Sequence, residues 1–302
     1  MTPFKSIPFV VDASVVAGAT NRPESAPDLL IEIPHGATRT EDFVAVEQAL
    51  SSPLPSGLVD FFHVNTDAGA PELAEAAARA FVAEEPEKKV LILRCRIPRT
   101  FIDCNRRMDA SPSDFTAGKV TPGLMPWVTT SADRALLRER YDAYVAAVSR
   151  ATEVVMPQGA MLLLHTYAPR SVGVDVDLQI VESLHAAYAP AMESTWPLRP
   201  AIDVIGKSAD GRDCAPASVF AALKSAFAKL DVDVAAGETY PLHHSTLAHG
   251  HVMRFPGRVL CLEVRRDLVA DPFEPFVQMR ISPQKVAKVA QPLARSLRAW
   301  WP

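Results

Sequence analysis

Short apolar runs alternate along the chain with longer stretches that open on proline, serine or acidic residues. Turn-forming residues bound the short runs, which predict strands over residues 29–33, 58–64, 90–94, 161–164, 201–205, 232–235 and 259–264. The longer stretches predict helices over residues 43–50, 71–81, 131–152, 217–230 and 283–297. Strands that alternate with helices are typical of an α/β fold. We therefore predict a single domain over residues 1–302, with a mixed, mostly parallel sheet flanked by helices.

Three stretches show no clear pattern of either kind: residues 1–28, 108–130 and 166–200. The first is expected to be a peripheral N-terminal segment. The other two are expected to be long loops, which often form the functional site of such a fold.

The composition is that of an ordinary globular protein, and it narrows the range of partners. The chain has 302 residues, of which 48% are apolar and 22% charged, and its formal net charge is −4. A negative net charge argues against nucleic-acid binding, which needs a basic surface. No run approaches the roughly 18 continuous apolar residues of a membrane span, and residues 1–10 lack the features of a secretory signal. The four cysteines show no C-x-x-C spacing, so we expect neither a zinc ribbon nor a disulfide framework, and a cytoplasmic location.

A basic cluster follows the predicted strand at residues 90–94. Arg99, Asn105 and Arg106 lie close together in the sequence there. Guanidinium groups bind carboxylates through two parallel hydrogen bonds, so the cluster predicts a pocket for a small acidic substrate. A solvated basic turn is the alternative interpretation.

Two histidines stand directly after predicted strands. His35 follows Pro34 and precedes Gly36, and His165 follows the apolar run at 161–164. Ligands bind open α/β sheets at strand ends, and neutral imidazole is a common zinc ligand. A structural hydrogen bond would explain either histidine alone, but two at separate strand ends favour a zinc site.

Three carboxylates are candidates for the same site. Asp67 lies in the connection after the predicted strand at 58–64, where it either binds the metal or caps the helix that begins at Pro71. Glu72, in the first turn of that helix, is a reserve ligand. Glu263 is a charged residue inside an apolar strand, and it either pairs with Arg265 or acts as a general base with a raised pKa.

Together these residues predict zinc-dependent hydrolysis. Two histidines and one carboxylate with an open fourth position form a common catalytic zinc shell. Zn²⁺ lowers the pKa of bound water to about 7, a glutamate can take the proton, and an arginine can stabilise the oxyanion. The chain has no G-x-S-x-G elbow and no glycine-rich phosphate loop, which argues against a serine hydrolase and a nucleotide cofactor. Cys104 is the only cysteine kept as a reserve nucleophile.

A histidine-rich tract precedes the last predicted strand. It contains His243, His244, His249 and His251, and Arg254 follows it. Such tracts can bind a metal, but a loop that lines the substrate pocket or is exposed is the preferred interpretation. Arg254 is a further candidate contact to an acidic substrate.

Short blocks of this chain resemble, in the same order, those of the N-formylglutamate amidohydrolase family, which belongs with the zinc carboxypeptidases and aspartoacylases. The resemblance extends over roughly residues 30–270. The blocks, with the family patterns in parentheses, are Pro34-His35-Gly36 (P-H-S-G), residues 67–74 (D-x-G-x-D-x-L-A), Arg99 with residues 102–106 (S-R-x-V-I-D-L-N-R), Leu164-His165-Thr166 (D-x-H-S), residues 210–216 (G-x-x-C-x-P) and residues 263–266 (E-I-N-R).

The resemblance implies a zinc-carboxypeptidase-like α/β fold with one zinc ion. It implies that the metal ligands are His35, Asp67 and His165. It implies that Glu263 is the general base and that Arg99 stabilises the oxyanion, while Asn105 and Arg106 hold a substrate carboxylate. The implied reaction is hydrolysis of the amide bond in a small, acidic N-acyl amino acid such as N-formylglutamate.

The chain also departs from the family pattern. Gly36 replaces a serine, and Leu163 replaces an aspartate two residues before the third ligand, which removes a polar neighbour that orients the histidine. The family's Gly-Gly loop becomes His249-Gly250-His251. Two alternatives stay open: a carboxypeptidase-like peptidase, and a catalytically inactive protein that keeps the carboxylate-binding arginines.

Overall fold

A computed structural model describes residues 4–118 and 120–301. Residues 1–3, Lys119 and Pro302 of the predicted 1–302 domain lie outside the described part. The strands are β1 (Val11–Ala17), β2 (Leu29–Ile33), β3 (Lys89–Cys95), β4 (Ala160–Tyr167), β5 (Ile202–Val204), β6 (Val234–Ala236) and β7 (Val259–Arg265). The α-helices are α1 (Thr40–Glu47), α2 (Leu58–Asn65), α3 (Ala70–Glu84), α4 (Pro112–Ala117), α5 (Ser131–Val155), α6 (Ile180–Ala187), α7 (Pro190–Glu193), α8 (Ala217–Ala228), α9 (Leu247–Arg254) and α10 (Pro283–Leu297).

The strands form one sheet in the order β1-β3-β2-β4-β7-β5-β6. Neighbouring strands are parallel except where β1 meets β3 and β5 meets β7. The central strands β2 and β4 are buried along their whole length, as the two covered faces of a largely parallel sheet require. The predicted α/β class, with a mixed and mostly parallel sheet, is confirmed.

Helices cover both faces of the sheet and enclose two apolar cores. α3, α8 and α10 pack on one face, while residues of α1, α2, α5, α6 and α9 belong to the core on the other. Alternation along β4 puts Leu162 and Leu164 on the first face, and Leu163 and His165 on the second. None of the described helices combines the length and the apolar composition that a bilayer crossing requires.

One predicted strand was wrong: residues 58–64 form α2. Its buried residues Leu58, Phe61 and Phe62 recur at helical spacing, and Gly57 starts the helix with a φ of 72°. A short apolar run does not distinguish a buried strand from a buried helix, which explains the error. As a result, Asp67 follows a helix and not a strand.

The stretches predicted to be irregular hold further elements. The segment 1–28 contains β1, which pairs antiparallel with β3 at the edge of the sheet. The segment 108–130 contains α4, the segment 166–200 contains α6 and α7, and the histidine-rich tract runs into α9. β1 was missed because it is mostly only half-buried and lacks a continuous apolar run.

Glu32 is a buried carboxyl group in the middle of the sheet, directly across from Leu163. It accepts a hydrogen bond of 2.8 Å from the Tyr144 hydroxyl, and its other oxygen has no partner among the described residues. Burial raises the pKa of Glu32 from 4.5 to about 7, although the Tyr144 hydrogen bond opposes the shift. The folded protein therefore holds a proton here that the unfolded chain releases at lower pH.

We expect Glu32→Gln to stabilise the protein above neutral pH by on the order of 3 kcal/mol, because glutamine mimics the protonated acid. Above a pH of about 7 the parent must keep a buried charge, whereas below about 4.5 both states are protonated and the difference vanishes. Urea unfolding of parent and variant from pH 4 to 8.5 measures this. The same change at the exposed Glu24 serves as the control, and a pH-independent difference at Glu32 contradicts the prediction.

Candidate metal centre and active site

Three buried side chains converge at the carboxyl ends of β2 and β4. His35 follows β2, His165 lies in β4, and Asp67 comes from the connection between α2 and α3. The Nδ1 atom of His165 lies 2.9 Å from Asp67 Oδ2 and 3.2 Å from His35 Nδ1, and His35 Nδ1 lies 3.3 Å from the same carboxylate oxygen. In the described part of the chain, this is the one group of three such residues close enough to hold a metal ion.

A close backbone approach fixes the turn that presents His35. A β-carbon on Gly36 would lie 2.9 Å from the carbonyl oxygen of Cys95 and 2.5 Å from the side chain of Arg94. Arg94 Nε donates a hydrogen bond of 2.7 Å to the Gly36 carbonyl from this position. A side chain at this position would require Arg94 and the backbone at Cys95 to shift, which favours glycine here.

Hydrogen bonds to the flanking backbone fix Asp67. The hydroxyl of Thr166 donates to the carbonyl of Ala68 at 2.8 Å, and the buried guanidinium of Arg266 donates to the carbonyl of Thr66. Burial lowers the pKa of Arg266 to about 10, although the nearby Asp67 opposes the shift. Burial alone would raise the pKa of Asp67, but the imidazoles of His35 and His165 hold it below its ordinary value. The carboxylate is thus charged and faces both histidines.

Asp103 is a site residue that the sequence analysis did not single out. It is fully buried; its Oδ1 accepts a hydrogen bond of 2.7 Å from His35 Nε2, and its Oδ2 lies 3.1 Å from Arg106 and 3.2 Å from Arg99. Burial alone would raise the pKa of Asp103, but Arg106, His35 and Arg99 hold it well below its ordinary value. Because the acceptor is charged, we assign the proton to Nε2 of His35, which turns the Nδ1 lone pair towards Asp67.

Glu263 lies beside this group, on β7 directly across from His165. It lines the cavity, and its Oε2 has no hydrogen-bond partner among the described residues. Burial raises the pKa of Glu263 to about 7, while the positive field of His165 opposes the shift. Arg265 instead pairs with Asp267 at 2.7 Å, so the alternative ion pair with Glu263 is not formed. A carboxylate with a free oxygen and a pKa near neutrality is suited to accept a proton.

The basic cluster also reaches the site. Arg99 Nη1 lies 3.7 Å from Asp67 Oδ1, and its Nε has no hydrogen-bond partner among the described residues. Asn105 Oδ1 accepts a hydrogen bond of 3.1 Å from the backbone N–H of Ala248, which leaves the side-chain NH₂ for a ligand. Arg99, Asn105 and Arg106 all line the cavity, so the solvated basic turn is not what the structure shows.

A further guanidinium, that of Arg199, was also missed. It stands just before β5, lines the same cavity, and donates hydrogen bonds of 3.1 Å to Ser171 Oγ and to the Tyr240 hydroxyl. Within the described residues, no carboxylate lies within 4.0 Å of it. Arg199 lies in the stretch 166–200, where no sequence pattern marks it.

These side chains face one cavity of about 650 Å³. Its walls include Phe115, Thr121 and neighbouring described residues of the segment 108–130, several residues between His165 and Tyr188, and residues near Tyr240. Both segments predicted to be loops at the site therefore contribute to it. Cavities of roughly 300–1,000 Å³ are typical of small-molecule sites.

Arg254 and the four histidines of the histidine-rich tract do not line the cavity, although Thr246 and Ala248 of the same tract do. Arg254 is exposed at the end of α9, its guanidinium lies 5.0 Å from the centre of the Phe255 ring, and it does not line the cavity. Within the described residues, none of the four histidines lines the cavity or belongs to a group of side chains that could hold a metal ion. The tract is largely helical, because His249 and His251 belong to α9; His243 lies buried beside Ser245, and His244 pairs with Asp114.

The structure does not favour the two reserve candidates, Glu72 as a metal ligand and Cys104 as a nucleophile. The carboxylate that meets the two imidazoles is that of Asp67, and Glu72 does not join the group. Burial raises the pKa of the Cys104 thiol well above its ordinary value, which argues against a nucleophilic role. Apart from Arg254, the leading site residues predicted from the sequence therefore line one cavity. Asp103 supports this site through its contacts with His35, Arg99 and Arg106.

Comparison with solved structures gives two similar folds. An N-formylglutamate amidohydrolase from Ralstonia eutropha is 16% identical, with a TM-score of 0.57 and coverage of 95% of this chain and 98% of that one. A gene product from Agrobacterium tumefaciens is 17% identical, with a TM-score of 0.50 and coverage of 95% and 93%. A metallo-carboxypeptidase from Burkholderia cenocepacia is more distant, with a TM-score of 0.35, 15% identity, and coverage of 95% and 64%. At such identities these similarities concern the fold alone.

Comparison of the sequence with protein-family models is more specific. No curated protein sequence gives a significant match. The model described as N-formylglutamate amidohydrolase matches residues 27–270, well over half of the chain, and this range includes every residue that converges on the cavity. The resemblance predicted from the sequence is confirmed, and the chain belongs to the N-formylglutamate amidohydrolase family.

Proposed function

We propose that this amidohydrolase uses zinc to cleave the amide bond of a small N-acyl amino acid similar to N-formylglutamate. The family supports an amidohydrolase role. The observation that carries the metal-dependent part is the convergence of His35, Asp67 and His165, whose ligand atoms lie 2.9–3.3 Å apart.

The chemistry of these three donors fits zinc. Two imidazole nitrogens and a charged carboxylate oxygen that face one another repel unless a cation or a proton lies between them. Zinc–ligand bonds of about 2.0–2.1 Å in a tetrahedron place neighbouring ligand atoms roughly 3.3 Å apart, close to the distances seen here. Asp103, bonded to the far nitrogen of His35, is the carboxylate partner that zinc-binding histidines usually have.

Glu263 and Arg99 supply the protein's part of the reaction in this proposal. When bound, zinc polarises the acyl carbonyl and lowers the pKa of the attacking water. Glu263 takes a proton from that water as the water oxygen bonds to the acyl carbon, and the guanidinium of Arg99 stabilises the negative charge on the carbonyl oxygen. The C–N bond then breaks, and Glu263 passes the proton to the leaving amine. The products are a carboxylic acid and a free amino acid.

Asn105 and Arg106 are proposed to hold a carboxylate of the substrate. The free NH₂ group of Asn105 and the remaining N–H groups of Arg106 face the cavity. Arg199, which lacks a carboxylate partner among the described residues, adds a second cation for an acidic substrate. Arg254, exposed and outside the cavity, has no place in this arrangement.

The partner is thus a small acidic N-acyl amino acid, and neither nucleic acid nor a membrane is part of the proposal. A reducing cytoplasm is the proposed location. It is supported by four free cysteines, of which Cys95, Cys104 and Cys261 are buried.

Metal analysis combined with an amidohydrolase assay tests the proposal. The purified full-length chain is expected to bind one zinc ion and to hydrolyse N-formyl-L-glutamate, to lose activity with a chelator, and to regain it with added zinc. A chain that binds no zinc and shows no zinc-stimulated hydrolysis of any N-acyl amino acid overturns it. Cleavage of C-terminal residues from peptides, with N-acyl amino acids left intact, would favour the peptidase instead.

A further inference from the structure

One side of the cavity is apolar. Val172, Val174 and Val176 line it, and we call these three residues the valine wall. Four buried side chains of α2 and α6 lie beside it and also line the cavity: Phe61, Val64, Ile180 and Leu184. Arg99 and Arg106 come from the turn after β3, and Arg199 precedes β5; Arg170 and Asp175, from the segment of the valine wall, also line the cavity. The cavity therefore combines an apolar surface with charged groups.

The sequence of the valine wall alternates strictly. The three valines are half-buried, whereas Gly173, Asp175 and Asp177 between and after them are exposed. The segment belongs to none of the strands of the sheet, so this alternation does not serve a ladder of backbone hydrogen bonds. It instead directs the branched apolar side chains inward, while Gly173 and Asp177 lie outside the cavity and the exposed Asp175 also lines it.

N-formylglutamate has no sizeable apolar group that could contact the valine wall. The formyl group is a single carbon, and the side chain of glutamate ends in a carboxylate, which the arginines would hold. A cavity of about 650 Å³ is within the range that takes ligands of drug size. Apolar surface that remains hydrated in such a cavity favours a ligand that removes it from water, at about 25 cal/mol per Å².

From this division of the cavity we infer that the preferred substrate is an N-acyl amino acid that carries a sizeable apolar group, placed against the valine wall while its carboxylate meets the arginines. The inference rests on the proposed amidohydrolase function and narrows its substrate class. The apolar group is either the acyl chain or the amino-acid side chain, and the same wall chemistry recognises both.

A panel of three substrates tests the inference with the zinc-loaded full chain. N-formyl-L-glutamate carries no apolar group, N-hexanoyl-L-glutamate carries one on the acyl side, and N-formyl-L-phenylalanine carries one on the side chain. We expect kcat/KM for at least one of the apolar substrates to exceed that for N-formyl-L-glutamate by tenfold or more, since each methylene in an apolar pocket contributes roughly 10-fold or more. Whichever of the two is preferred identifies the apolar group.

Variants of the wall connect this preference to the named residues. The combined Val172→Thr, Val174→Thr and Val176→Thr protein keeps the side-chain shapes but replaces one methyl group of each valine by a hydroxyl. These positions are only half-buried, so each hydroxyl can remain hydrated and the protein is expected to fold, which circular dichroism and thermal unfolding check. We expect kcat/KM for the apolar substrate to fall about tenfold or more, and that for N-formyl-L-glutamate to change little. Val154→Thr, at an exposed position on α5 outside the cavity, is the matched control.

The possible results separate the inference from the function on which it rests. A clear preference for N-formyl-L-glutamate, or an apolar preference that the triple variant leaves intact, overturns the inference while the amidohydrolase function stands. Hydrolysis of none of the three substrates by zinc-loaded protein counts against both.

Discussion

Glu263→Gln is expected to lower kcat for N-acyl amino acid hydrolysis by about 10²–10⁴-fold and to leave the amount of bound zinc unchanged. Glutamine keeps the shape and one carbonyl oxygen of the side chain but cannot take a proton from water. Glu263 is not one of the three candidate metal ligands, which are His35, Asp67 and His165, so metal binding should persist. Steady-state kinetics and metal analysis on the same preparation measure both quantities.

Glu72→Gln is the matched control for this change. Glu72 was an alternative metal ligand in the sequence analysis. In the structure it is not one of the three residues that could hold a metal ion, and it does not line the cavity. Its substitution should leave both zinc content and turnover close to those of the parent. Turnover unchanged in Glu263→Gln would eliminate Glu263 as the base. A parent that binds N-acyl amino acids tightly without turnover would favour the inactive binding protein.

The fold was predictable where burial is continuous. β2 and β4 lie in the centre of a sheet covered on both faces, so most of their residues are apolar and the runs stand out in the sequence. The prediction failed at α2, whose apolar run is too short to reveal its period, and at β1, whose exposed edge tolerates polar residues. A local sequence pattern therefore indicates whether a segment is buried more directly than it indicates whether the segment forms a helix or a strand.

The candidate site was predictable where a polar residue interrupts an apolar element. His165 and Glu263 stand out in this way. Their pairing on adjacent strands could not be predicted, because the sequence of each strand does not show which strand lies beside it. Asp103 lies between Arg99 and Arg106 in the basic cluster, but its role depends on contacts with His35 and two arginines that only the folded chain creates. Arg199 carries no signal, because it lies with its partner Ser171 in a stretch without a pattern, and its other partner, Tyr240, is distant in the sequence.

Arg254 and the histidine-rich tract show the opposite failure. The concentration of histidines and the nearby arginine in the sequence suggested a site, but Arg254 is exposed at the end of α9 and none of the four histidines lines the cavity. Residue type and proximity along the chain were sufficient to raise the hypothesis. His249, His251 and Arg254 take their directions from α9, whereas His243 and His244 precede that helix.

Asp103→Asn is expected to reduce zinc affinity by about 10–100-fold and to lower the free energy of unfolding by about 3–5 kcal/mol. The substitution takes the charged acceptor away from His35 Nε2 and leaves the buried guanidinium of Arg106 without its carboxylate. Because the pKa of Asp103 is held well below its ordinary value of 3.8, the carboxylate stabilises the parent above that pH, and this contribution is lost only in strong acid. The deficit of the variant should therefore be nearly constant from pH 5 to 8. Zinc titration and urea unfolding over that range measure the two effects.

Thr121→Val separates the orienting role of Asp103 from its role in stability. The Thr121 hydroxyl donates a hydrogen bond of 3.2 Å to Asp103 Oδ2, the oxygen that faces the arginines, whereas His35 contacts Oδ1. Loss of the hydroxyl should therefore cost about 1 kcal/mol of stability while zinc affinity stays near that of the parent. If Asp103→Asn binds zinc as tightly as the parent, His35 does not need its carboxylate partner, and Asp103 serves only to neutralise the arginines. If Thr121→Val weakens zinc binding as much as Asp103→Asn does, the position of the whole carboxylate, and not its bond to His35, governs the metal site.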